Sequence, residues 1–136
     1  MSDGDLRKVP VPTAETAEFW AACRRRELLL QRCAACGHLQ FYPRLLCTAC
    51  GGRELGWTRA SGRGVVQSFA LVRRPVSAAY AAGSPFALLL VSLEEGPTMM
   101  STLAGAAPES AEVGMQVVVV FDDWPEGVTM PRFRPA

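Results

Sequence analysis

Four of the five cysteines stand as two matched pairs, Cys33-Ala34-Ala35-Cys36-Gly37 and Cys47-Thr48-Ala49-Cys50-Gly51, ten residues apart. That spacing suits two turns folding towards one ion. Zinc takes four thiolates at tetrahedral corners, and a four-sulfur site is closed, with no position left for water or substrate. A glycine after each second cysteine lets the chain turn so that amides point at sulfur. The competing arrangement is two disulfides, but a two-residue gap strains a bridge within a pair, and a cytosolic protein is kept reduced. Cys33, Cys36, Cys47 and Cys50 are therefore expected to hold a structural zinc ion. An iron site for one-electron transfer uses similar turns, and visible absorption separates the two.

Other chemistry is scarce. His38 is the one histidine, so no Ser–His or Cys–His pair can be built, and beside four thiolates it is expected to donate to sulfur or face solvent. Cys23 lies on an apolar helix face, where burial raises a thiol's pKa, although Arg24, Arg25 and Arg26 adjoin it. Glu94 with Glu95 and Asp122 with Asp123 sit at strand ends and read as solvated. Ser61-Gly62-Arg63-Gly64 leads into a strand rather than a helix, which excludes a phosphate-cradling loop. The residues describe a binding scaffold without a catalytic set.

The elements around these residues follow from pattern. Residues 1–12 read as extended, since Pro10 and Pro12 fit no helix interior. Thr13 is expected to cap a helix reaching about Glu27, with Glu15 and Glu18 near its positive end and Arg24 to Arg26 near its negative end. Phe19, Trp20 and Cys23 form its apolar face, which must pack on this domain or on another protein. Leu28–Gln31, Leu39–Tyr42 and Leu55–Arg59 read as three strands around the cysteine turns, a zinc ribbon too small to fold without its ion. Five further strands follow: Val65–Val72, Phe86–Leu93, Thr98–Leu103, Met115–Phe121 and a weaker one at Val128–Phe133, interrupted by Pro131. Longer loops at Val76–Gly83 and Gly105–Gly114 complete a plan that fits a small closed barrel, most commonly an OB-fold. The expected fold is thus mainly β: an N-terminal segment and helix over 1–28, a zinc ribbon over 29–60 and a five-stranded OB-fold barrel over 61–136.

The chain has 136 residues and a net charge of +1, enough for one modest core. No run is long and apolar enough to cross a bilayer, and the polar start carries no secretory pattern, so a cytoplasmic protein is expected. The near-zero charge hides polarity along the chain. Ten arginines stand against two acids between Cys23 and Arg74, whereas two arginines stand against seven acids from Pro75 onward. Arginine favours planar, bidentate contacts with carboxylate or phosphate.

The segments LLLQRCAACGHLQFYPRLLCTACGGRELGWTRASGRGVVQSF, SPFALLLVSLEEGPTMMSTL, VGMQVVVVF and MPRFRP resemble the DUF35 family from about residue 13 onward. The Pro43-Arg44 turn, the Ser61-Gly62-x-Gly64 lead-in and the Phe133-x-Pro135 ending make the likeness more specific than the cysteines alone. The resemblance implies a rubredoxin-like zinc ribbon ahead of an OB-fold associated with acyl-CoA metabolism, in a non-catalytic accessory subunit. It further implies a hetero-oligomer in which a thiolase-like partner (thiolase, aldolase or acyltransferase) carries catalysis, while this chain helps shape a CoA or acyl channel. Within that reading, Phe19, Trp20, Phe41 and Tyr42 are expected as apolar anchors, with Trp57 either an anchor or core. Arg44, Arg73 and Arg74 are expected to meet partner carboxylates or CoA phosphates. The rival reading is a protein binding single-stranded nucleic acid, against which stand the acidic barrel and its few exposed aromatic residues.

Overall fold

The computed structural model describes residues 8–74 and 85–136. The expected loop at Val76–Gly83 and the first seven residues of the expected extended start lie outside the described residues. One helix, α1 (Ala17–Arg24), precedes a three-stranded antiparallel sheet of β1 (Leu29–Cys33), β2 (Leu39–Gln40) and β3 (Leu55–Arg59), ordered β2-β1-β3. A five-stranded sheet follows, made of β4 (Arg63–Val72), β5 (Phe86–Leu93), β6 (Thr98–Thr102), β7 (Gln116–Asp123) and β8 (Thr129–Pro135), ordered β6-β5-β4-β7-β8.

The helix is a turn shorter at its start than expected. Thr13 begins a turn instead: its carbonyl accepts from the amides of Thr16 and Ala17 at 3.1 and 2.8 Å. The Thr16 hydroxyl accepts from the Thr13 amide at 2.8 Å, so Thr16, the residue before α1, makes no side-chain bond to the helix amides. At the other end Arg26 turns left-handed (φ 65°), its amide bonds Cys23 O and the Glu27 amide bonds Ala22 O. This paired reversal satisfies the carbonyls a helix end leaves open and stops α1 before Glu27. The second expected ribbon strand is also shorter, ending at Gln40. Beyond it the backbone of Arg44 bonds the side chain of Gln31 rather than a strand neighbour.

The larger sheet closes into a barrel. β6 and β8, at opposite ends of the strand order, meet through a parallel bridge between Leu103 and Phe133. The Ala104 amide donates to Phe133 O at 2.7 Å, and the Ser101 hydroxyl to Pro131 O at 3.0 Å. Arg132 completes the seam, donating to Thr102 Oγ1, Leu103 O and Asp122 Oδ2 within 2.8 Å. Antiparallel neighbours closed by one parallel seam give the OB-fold. β8 runs through Pro131 without interruption, because its pairing with β7 stays in register there, Phe121 opposite Pro131. Gly64 shows why its position excludes a side chain: a Cβ there would lie 2.5 Å from Val91 Cγ1 and 2.8 Å from Ser92 O.

A single apolar cluster unites the three parts. It joins Phe19, Trp20 and Cys23 of α1, Leu28 and Leu30 at the ribbon, and Val66, Leu89, Val91, Val117 and Phe133 of the barrel. The face of α1 thus packs on its own chain, burying Phe19 and Trp20.

Candidate metal centre and its surroundings

The ribbon's two turns are near copies of each other. The Gly37 amide bonds Cys33 O at 2.8 Å and the Gly51 amide bonds Cys47 O at 2.9 Å; both glycines have φ 76°. The Cys33 amide bonds His38 O at 3.0 Å, and the Cys47 amide bonds Gly52 O at 2.8 Å. This backbone pattern aims two pairs of sulfurs at one point. Sγ of Cys33 lies 3.7 Å from Sγ of Cys50, Sγ of Cys36 lies 3.6 Å from Sγ of Cys47, and all four fall within 4.8 Å of one another. Tetrahedral zinc with bonds of about 2.3 Å places its sulfurs about 3.8 Å apart, so the cage fits the ion. All five cysteines are free of disulfides.

Backbone dipoles support thiolate character. The Ala49 amide points at Cys47 Sγ and the Gly52 amide at Cys50 Sγ, each at 3.4 Å. Amides of Cys50 and then Ala49 bring the Cys47 thiol down to about 6. The His38 amide pulls Cys36 down, but burial and hydrogen bonds shared with Cys47, Cys50 and Cys33 push it up to about 12. Neighbouring sulfurs resist ionising together, and a dication supplies the charge that lets all four do so. Gly52 leaves room for the cage, since a Cβ would come within 3.3 Å of Cys50 Sγ. His38 is held apart, its Nε2 3.1 Å from Thr48 Oγ1. Cys23 is buried, and burial pushes its thiol up to about 12, the reverse of what a nucleophile needs.

Two buried glutamines organise the second turn, and sequence reasoning missed both. Gln40 Nε2 donates to Gln31 Oε1 at 2.9 Å and to Leu46 O at 3.2 Å, while Gln40 Oε1 accepts from the Thr48 amide at 2.9 Å. Gln31 Nε2 donates to Arg44 O at 2.9 Å, and its Oε1 accepts from the Arg44 amide at 2.7 Å. The segment from Arg44 to Thr48 is thereby clamped from below. A glutamine in each of the two strands flanking the first cysteine pair was the signal, visible only once β1 and β2 are paired at Gln31 and Gln40.

The expected anchors separate into two groups. Phe19, Trp20, Phe41 and Tyr42 do come together, in edge-to-face contacts with centroids 5.0–5.8 Å apart. Phe19 and Trp20 are interior residues, however, and Tyr42 alone of the four is exposed. Exposed docking through Phe19 and Trp20 is therefore corrected to support from beneath. The arginines separate as well. Arg44 belongs to the ribbon, whereas Arg73 and Arg74 follow the far end of β4, a ten-residue strand of about 30 Å if straight. Beside the cage lies an open cleft of about 630 Å³, walled by Val11, Thr13 and Glu15 on one side and by Tyr42, Leu45 and Leu46 on the other.

A four-sulfur ribbon sharing one core with a closed five-stranded barrel defines a zinc-ribbon/OB-fold protein. Residues 20–56 match the family described as "ChsH2, rubredoxin-like zinc ribbon domain", and residues 57–122 match "ChsH2, C-terminal OB-fold domain". The chain is 34% identical over 129 residues to a DUF35 domain-containing scaffold protein of Pyrococcus furiosus, covering 89% of this chain and 93% of that one. It superposes on a chain of a structure titled "Ltp2-ChsH2(DUF35) aldolase" with a TM-score of 0.83 and 34% identity, covering 93% of this chain and 98% of the other. The chain belongs to the DUF35 family. It is also 37% identical over 134 residues to a probable enoyl-CoA hydratase alpha subunit of Thermomonospora curvata, covering 96% of this chain but only 40% of that subunit's length. Among the described residues, no helix is long and apolar enough to cross a membrane.

Proposed function

We propose that this chain is a non-catalytic, zinc-stabilised scaffold subunit that docks on a thiolase-like enzyme acting on acyl-CoA substrates. The observation that carries the proposal is the near full-length likeness to a chain of the Ltp2-ChsH2(DUF35) aldolase. The site chemistry supports it. Among the described residues the conspicuous cluster is the cysteine cage, a closed site that offers no open coordination position. Three of the four carboxylates singled out in the sequence are engaged in ion pairs, Asp122 with Arg132, Asp123 with Arg26 and Glu94 with Arg63, while Glu95 accepts from the Ser61 amide. The likeness to a hydratase subunit covers two fifths of that protein, and in this reading the catalytic groups lie outside the shared part. Shaping a CoA or acyl channel with the partner is part of the proposal, in which Arg44, Arg73 and Arg74 meet partner carboxylates or CoA phosphates.

Purification of the tagged chain from its own host tests this. The expected result is a stoichiometric complex with a thiolase-fold subunit, identified by mass spectrometry, whose acyl-CoA activity falls when the two are separated. A chain that elutes alone, with zinc bound and the barrel folded, overturns it.

A further inference from the structure

Several arginines outside the ribbon are held in ion pairs. Arg25 pairs with Glu18 and Glu27, Arg26 with Asp123, Arg63 with Glu94 and Arg132 with Asp122, all within 3.6 Å. The ribbon differs. Arg32, Arg44, Arg53 and Arg59 are all exposed, and among the described residues their guanidinium groups have no hydrogen-bonding or ionic partner. The single acid within the same span is Glu54, so the ribbon presents a net positive field of exposed, planar donors.

Set in that field are uncovered apolar side chains. Leu45 is 71% exposed, Leu46 43% and, across the cleft, Val11 82%. A loop that presents leucines to water is ordinarily free to fold them away. This one is fixed by the Gln31 and Gln40 bonds to the backbone at Arg44, Leu46 and Thr48, and by Cys47 in the cage. Fixed apolar tips lose little entropy when covered, which is the property of a preorganised binding surface. Beneath them, Tyr42 is braced edge-to-face by Phe19 and Phe41.

We infer that the loop from Tyr42 to Thr48, with the cleft it forms against Val11, is the surface by which the scaffold grips its enzyme partner. This rests on the function proposed above and adds where and with what chemistry contact is made. The occupant is an apolar segment of the partner bordered by aspartate or glutamate. Its apolar side chains cover Leu45 and Leu46, and its carboxylates meet Arg44 and neighbouring ribbon guanidiniums in bidentate pairs. A nucleic acid suits the charge but not the tips, because bases stack on flat rings while these projecting side chains are aliphatic.

The test uses the full-length, zinc-loaded chain and the enzyme subunit that copurifies with it, separated and titrated back by calorimetry. Leu45→Asp with Leu46→Asp places charges into the covered cleft and is expected to weaken binding by about 100-fold or more. Arg44→Glu is expected to weaken it by about tenfold at low salt, with the loss shrinking as salt is raised. Met100→Ser and Val113→Ser, at exposed barrel positions (60% and 67%), are expected to change affinity by less than about threefold. Melting temperature and zinc content confirm that each variant is folded. Hydrogen exchange of the wild-type complex is expected to show new protection between residues 42 and 48, a readout independent of any variant. Wild-type affinity in the leucine variant, or larger losses from the barrel variants, overturns this assignment while leaving the scaffold reading intact. Tight binding of a thirty-nucleotide thymidine strand, abolished by the same leucine and arginine changes, overturns it in favour of a nucleic-acid face. Failure of the wild-type chain to bind any enzyme subunit removes the scaffold reading itself.

Discussion

Phe19→Ala separates a helix that holds this protein together from a helix that waits for a partner. Phe19 is 1% exposed and packs edge-to-face on Trp20, Phe41 and Tyr42, with centroids 5.0, 5.5 and 5.8 Å away. Truncating a buried phenylalanine costs about 3–5 kcal/mol, including the cavity left behind. Three ring contacts, each contributing about 0.5–1.5 kcal/mol beyond area, place the expectation at the upper end, about 4–5 kcal/mol. For a chain of this size each kcal/mol moves the melting temperature by about 3–4 °C, so a fall of about 12–20 °C is expected. That is about a quarter or more of the whole stability of a typical domain, about 5–15 kcal/mol. The assay is thermal and urea unfolding of zinc-loaded protein followed by circular dichroism. Leu45→Ala serves as the comparison, and at an exposed position it is expected to cost less than about 0.5 kcal/mol. A fall of under about 4 °C for Phe19→Ala, with an unchanged urea slope, refutes the view that α1 joins ribbon to barrel through this ring.

Three further outcomes follow from the same structure. Cys36→Ser is expected to lose stoichiometric zinc and to expose β1 amides to exchange while β5 amides stay protected, since structural zinc contributes about 10–16 kcal/mol in isolated finger peptides; retained metal with an unchanged melting temperature contradicts the cage. Gln31→Leu strands the Arg44 amide and carbonyl and the Gln40 amide group, so urea unfolding should show a loss of about 2–3 kcal/mol, with faster exchange between residues 44 and 48. Asp123 is held down to about 2 by the hydrogen bond from Arg26, assisted by Thr129. A depressed carboxylate stabilises fully above its unfolded value of about 3.9, and that stabilisation disappears as pH falls from there to about 2. Asp123→Asn should therefore flatten the wild-type decline in that window, whereas parallel acid-unfolding curves contradict the pairing.

Much of this was legible because it is written in local spacing. Four cysteines ten residues apart in pairs specify a cage whatever surrounds them, and runs such as FALLLVSL give strands whose ends fell within two residues of expectation for β3, β4, β5 and β6. The extent of α1 was not legible, because the carbonyl of Thr13 accepts from both Thr16 and Ala17 and so forms a turn ahead of the helix. Nor was the continuity of β8 through Pro131, which depends on a register with β7 that places Phe121 opposite Pro131. Grouping Arg44 with Arg73 and Arg74 followed from charge counted along the chain, but β4 carries the latter two away from the ribbon. The anchors were misjudged for a related reason: an aromatic pair on a short helix has the same pattern whether it packs inward or outward.

The buried glutamines show where sequence pattern and folded structure part company most informatively. Glutamine within a strand ordinarily signals a face turned to water, yet Gln31 and Gln40 are 4% and 5% exposed. Their burial is tolerable because each satisfies backbone groups that no strand neighbour reaches, and half-satisfied polar groups there would be costly. The same bonds hold Leu45 and Leu46 outward, so within residues 40–46 the polar Gln40 lies inside and the apolar Leu45 and Leu46 outside. Such an inversion lowers the stability of the free protein, and inversions of this kind concentrate at functional surfaces. With the zinc cage fixing Cys47 on one side and the braced Tyr42 on the other, the loop has little freedom to correct it. A rigid inverted loop gains most when an apolar surface covers it, which supports the ribbon loop, rather than the acidic barrel, as the proposed contact surface.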